Sequence, residues 1–203
     1  MDKIQHENIV TPAGRAIYPW LIEPDTKFNA LGEYKVSLSL PMGEAEPLIK
    51  KIDEAIEKAK ALAPEGKKVK VADPPYFNEV DEDEQETGAV VFKFKSKAKI
   101  QTKDGKTIKM SPKLFDAKGT LLTDIEQVWG GSKIKISADL APYFVGAVGA
   151  GVSLRLKAVQ IIELVTGGGN NANSYGFEAT EGYEASTETS QNEFDSADAQ
   201  EDF

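Results

Sequence analysis

Cysteine is absent from the chain and histidine occurs once, at His6. Without thiols there is no disulfide framework, thiolate metal site or cysteine nucleophile. One imidazole also excludes a catalytic triad or a zinc site that needs several histidines. No apolar run reaches the 18 residues that would suggest a membrane-spanning helix. The first ten residues, MDKIQHENIV, lack the continuous apolar stretch of a secretory signal. The last 37 residues contain no basic residue and no Leu, Ile or Val. These absences lead to the expectation of a soluble protein of a reducing compartment, with no membrane partner.

The 203 residues suit one domain, or one domain with an appendage. Charge is distributed unevenly along them. Residues 1–90 carry 11 basic and 18 acidic side chains, whereas residues 91–118 carry nine lysines and two aspartates. Residues 119–166 balance at four and four, and residues 167–203 hold nine acidic groups. The first 166 residues therefore sum to zero, and the terminal segment carries the whole net charge of −9. An acidic total does not argue against a polyanionic partner when a strongly basic patch lies inside a neutral body. The terminal segment is Gly-, Asn-, Ser-, Ala- and acid-rich, too poor in apolar surface to offset the entropy of ordering. The expected division is a folded domain over 1–166 and a disordered acidic tail over 167–203.

Within the body, short extended segments dominate. Residues 13–22 and 34–40 read as strands, the second with Tyr34, Val36, Leu38 and Leu40 on one face. Residues 44–63 read as an amphipathic helix, with Ala45, Leu48, Ile49, Ile52, Ile56, Ala59 and Ala63 at spacings of three and four. Residues 72–88 read as a polar loop. Residues 89–101 form the clearest strand, and Asp104-Gly105 signals a hairpin turn into 107–110. Further extended segments are expected over 121–129, 133–140 and 152–164. Many short strands and one substantial helix suggest a small closed or partly open barrel with a helix packed on it.

Lys93, Lys95, Lys97 and Lys99 alternate with Phe92, Phe94, Ser96 and Ala98. In a strand this puts four ammonium groups on one face, about 6.5–7 Å apart. That spacing resembles the phosphate repeat of an extended single strand. Like charges in a row repel, so the pattern costs stability unless an anion offsets it. Lys103, Lys106, Lys109, Lys113 and Lys118 continue the basic segment. Aromatic rings supply the second ingredient, because bases stack on them without sequence preference. Tyr18, Trp20 and Tyr34 are the best candidates, close to Arg15 and Lys35. Pro19 between the first two suggests an irregular or edge strand that exposes them. The candidate nucleic-acid contacts are therefore Arg15, Tyr18, Trp20, Tyr34, Lys35, Lys93, Lys95, Lys97, Lys99, Lys109 and Lys113.

Other motifs fail on spacing. The acidic run from Asp81 has Glu86 where a calcium loop needs glycine and Phe92 where it needs a bidentate glutamate. Gly105-Lys106-Thr107 has Ile100 where a P-loop needs its first glycine. Gly146–Gly151 lacks dinucleotide-binding spacing. His6 lies in a segment expected to fray, without a partner. No carboxylate pair is placed for acid–base work. The expectation is a binding protein without catalytic residues, metal or cofactor.

These features together resemble the single-stranded DNA-binding proteins of tailed bacteriophages. The carrying segments are Lys27–Pro41, Gly130–Ile136 with Tyr143-Phe144, Gly151–Glu163, and the tail Asp195–Phe203 with its terminal aromatic. The resemblance implies an OB-fold-like five-stranded barrel with one helix over about 44–63 and extra hairpins. It implies sequence-independent binding and protection of single-stranded DNA during phage replication and recombination, in the host cytoplasm. It further implies partnership with the phage DNA polymerase and helicase-primase through tail residues Asp195, Asp198, Glu201, Asp202 and Phe203. A homodimer is among the expected assemblies. The competing readings are a virion or scaffold module with a solubilising tail, and an RNA-binding barrel.

Overall fold

The structure, a computed structural model, describes residues 6–64, 69–102, 104–125 and 127–165. The expected tail, with its five partner-binding residues, lies outside these residues, as does Lys103.

Among the described residues, ten strands and one helix follow in chain order: β1 (Glu7–Val10), β2 (Gly14–Asp25), β3 (Glu33–Pro41), α1 (Met42–Lys60), β4 (Tyr76–Val80), β5 (Glu86–Lys97), β6 (Lys99–Gln101), β7 (Thr107–Lys109), β8 (Lys113–Phe115), β9 (Lys133–Val145) and β10 (Gly149–Glu163). Five of them close into a ring. β2 pairs with β3, β3 with β5, β5 with β10, β10 with β9, and β9 returns to β2. All these pairs are antiparallel except β5–β10, which is parallel. This is the expected OB-fold-like arrangement. β1 extends the edge of β9, β8 lies along β10, and β6–β7 form a separate two-stranded hairpin.

Alternation explains the ring's interior. Val36, Leu38 and Leu40 of β3 meet Phe92 and Phe94 of β5 inside it, all within 2% of complete burial. Ile134, Ile136, Ala138 and Leu140 of β9 join them. On β10 the inward set runs Val152, Leu154, Leu156 and then Val159, Ile161. The change of parity coincides with the register shift between Leu156 and Ala158, where one extra residue turns the side chains over. α1 lays Ala45, Leu48, Ile52, Ala55 and Ile56 against the same core. Glu44 in its first turn and Lys58 and Lys60 in its last complement the helix dipole.

Three expectations need correction. The supposed loop over 72–88 contains β4, an edge strand held by β5; its Tyr76-Phe-Asn-Glu-Val80 sequence sets two rings side by side and then two polar residues, which breaks the period of two. The described residues of 121–129 form no strand; Leu121 makes only an isolated bridge to Phe115. The lysine strand stops at Lys97, and Lys99 starts the hairpin instead.

Candidate nucleic-acid interface

The outer face of the ring presents cations and rings together because β2, β3 and β5 are in register. Trp20 lies opposite Lys35, and Lys35 lies opposite Lys95. The parallel pairing then places Arg155 of β10 beside Lys95. Neighbouring strands are about 4.8 Å apart, so this row crosses roughly 14 Å of surface at right angles to the strands. Ser37 and Lys93 form a second row, and Glu33 and Lys97 a third. Lys93, Lys95 and Lys97 all point outward, as their alternation with Phe92 and Phe94 requires.

An open cleft lies over these rows, lined by Tyr18, Trp20, Asp25, Lys27, Phe28, Glu33, Lys35, Ser37, Lys93 and Lys95. Tyr18 is 82% exposed, Phe28 86% and Trp20 43%, unusual values for large rings without a ligand. A second cleft shares Lys93 and Lys95 and continues to Asp73, Tyr143 and Ser153. Lys93 sits 4.7 Å from the centre of the Phe77 ring, and Lys27 sits 5.5 Å from that of Phe28.

Tyr18 owes its exposure to the backbone. Its φ is +46°, a left-handed value that is costly for a side-chain-bearing residue, and Pro19 follows it. The β2–β3 register shifts between Ile17 and Trp20, which turns Pro19 inward and both flanking rings outward. Replacing Tyr18 with glycine should relieve strain of about 1 kcal/mol and raise the melting temperature. The same change should weaken binding to single-stranded DNA roughly tenfold through loss of the ring. A lower melting temperature would mean that the ring is held by packing rather than offered to a ligand.

Two carboxylates share the cleft. Asp25 accepts a hydrogen bond from Lys35 Nζ at 2.5 Å and another from the Lys27 backbone N–H at 2.8 Å. The Lys35 ammonium, with the Lys27 amide second, holds the Asp25 carboxyl below its ordinary pKa. Glu33 lies 3.7 Å from Lys95 Nζ.

Not every expected contact is in the cleft. Tyr34 is only 8% exposed and packs in the core, so its ring does not line the cleft. It shares the parity of Val36 and Leu38, which turns it inward. Arg15 lies five residues from Trp20 along β2 and is engaged by Glu79. Lys99 and Lys109 pair across the hairpin, and Lys113 lies on β8 beside Ala158; none of the three lines the cleft. His6 does have a partner, with Nε2 3.3 Å from Arg155 Nη1. Lys27, Phe28 and Arg155 were not among the expected contacts. The available signal for Phe28 was a phenylalanine in a polar loop.

Residues 13–164 match the model of the family described as single-stranded DNA-binding protein, bacteriophage T7. The chain belongs to that family. It is 32% identical over 175 residues to the single-stranded DNA-binding protein of Enterobacteria phage T3, covering 80% of this chain and 75% of the relative. Against the protein of that name from Escherichia phage T7, identity is 33% over 153 residues, covering 70% and 66%. The crystal structure of the single-stranded DNA-binding protein encoded by bacteriophage T7 superposes with a TM-score of 0.69 at 30% identity, covering 90% of this chain and all of that one. The single-stranded DNA-binding protein of bacteriophage Enc34, in complex with single-stranded DNA, shares the fold with a TM-score of 0.58 at 18% identity. That match covers 80% of this chain and 89% of the other.

Proposed function

We propose that this protein binds single-stranded DNA without sequence preference during phage replication and recombination. Binding, not turnover, is its role. The observation that carries this reading is the meeting of exposed Tyr18, Trp20 and Phe28 with Lys35, Lys93 and Lys95 in one cleft. Rings take base faces, ammonium groups take phosphates, and neither feature reads base edges. A gel shift at about 50 mM NaCl should show oligo(dT) retained and a duplex of equal length left free. Equal retention of the duplex would contradict the reading, and stronger retention of oligo(U) would make RNA the ligand.

The acidic tail adds regulation. An open chain of 37 residues has a root-mean-square reach of roughly 30–37 Å, a span comparable with the distance across a domain of this size. Tethering keeps its local concentration millimolar or higher, so weak attraction suffices. The tail then competes with DNA, Asp195, Asp198, Glu201 and Asp202 supplying charge and Phe203 a ring. Displaced by DNA, it recruits the polymerase and helicase-primase. Deleting residues 178–203 should tighten DNA binding at low salt, with the gain shrinking as salt rises. Equal affinity of truncated and full-length chains at low salt would rule out the competition.

A further inference from the structure

We infer that Glu33 is a displaceable stand-in for a DNA phosphate, which holds Lys95 until a strand replaces it. The inference rests on the proposed DNA cleft. Lys35 and Lys95 are direct cross-strand neighbours, a like-charge pair that destabilises a sheet. Each has a carboxylate. The two ion pairs differ in geometry. Asp25 binds Lys35 at 2.5 Å with a side chain 11% exposed, and also accepts the Lys27 amide. Glu33 stands 3.7 Å from Lys95, and their side chains are 33% and 59% exposed. Asp25 is therefore built into the loop that carries Lys27 and Phe28. Glu33 makes one long, wet contact on the cleft floor, where a phosphate oxygen meets the same ammonium with a shorter bond.

The two carboxylates then have opposite effects. In Glu33→Gln, Lys95 is already free, and DNA no longer has to displace an anion. In Asp25→Asn, the Lys35 contact loses its charge and the Lys27 amide keeps only a neutral acceptor, so the Lys27–Phe28 loop is held less firmly. The test is titration of the full chain with fluorescently labelled oligo(dT) over 50–300 mM NaCl, with melting temperatures recorded for each variant. Glu33→Gln should bind about threefold to tenfold more tightly at the lowest salt, with the gain shrinking as salt screens the Glu33–Lys95 pair. Its melting temperature should not rise, since the Lys35–Lys95 repulsion is less well offset. Asp25→Asn should bind more weakly. The gain should vanish when Glu33→Gln is combined with Lys95→Ala and compared with Lys95→Ala alone. Unchanged or weaker binding by Glu33→Gln, or a gain that survives the loss of Lys95, overturns the inference and leaves the DNA cleft standing. Failure of the wild-type chain to bind oligo(dT) overturns both.

Discussion

Replacing Lys93, Lys95 and Lys97 together with alanine should lower affinity for single-stranded DNA roughly 100-fold at about 0.1 M salt. Each lysine–phosphate contact on a single strand contributes about 0.7 to the salt slope, or about fivefold at that concentration. The slope should therefore fall in magnitude by about 2. The loss should be the same for oligonucleotides of different sequence, because phosphates carry no base information. The fold should survive. All three side chains point outward, and the change removes a row of like charges at the cost of the Lys93–Phe77 contact, about 0.5–1 kcal/mol. An unchanged salt slope in a folded variant would show that the lysines only decorate the surface.

The double substitution Trp20→Ala and Phe28→Ala should be as damaging by a different route. Stacking contributes about 1–3 kcal/mol per base, so losing two platforms should cost about 2–6 kcal/mol of binding. No phosphate contact is removed, so the salt slope should stay at the wild-type value while affinity falls at every salt concentration. The lysine and aromatic variants thus separate the two halves of the interface. Isothermal titration over a salt series distinguishes them. A flattened slope in the aromatic variant would mean that the rings position the lysines rather than the bases.

What could be read from the residues follows the physics of each element. A strand has a period of two, so Phe92 and Phe94 identify the inner face of β5 and place Lys93, Lys95 and Lys97 outside. The same rule places Tyr34 inside with Val36 and Leu38, a parity that withdraws its ring from the outer face. The rule fails where the strand ends. Nothing in the alternation of Lys97, Ala98 and Lys99 shows that β5 stops and a separate hairpin begins. Pro19 correctly marked an irregularity, and the positive φ of Tyr18 is its mechanism. Phe28 and Lys27 lie in a loop, where no period indicates direction. Arg155 joins the lysine row only through the parallel pairing of β5 with β10, a contact between strands distant in sequence. β4 is a five-residue edge strand between Pro74-Pro75 and an acidic run, and its rings and polar residues fall in adjacent pairs, so no period of two marks it.

Changing Trp129 to phenylalanine leaves Trp20 as the sole tryptophan, since the chain has two. Emission of this variant during titration with oligo(dT) then reports directly on the cleft. Quenching should saturate with the same midpoint as a parallel gel shift and should reverse when NaCl is added, as stacking on a phosphate-anchored strand requires. A gel shift that shows the complex forming while Trp20 emission stays constant would contradict a strand lying across this face of the ring.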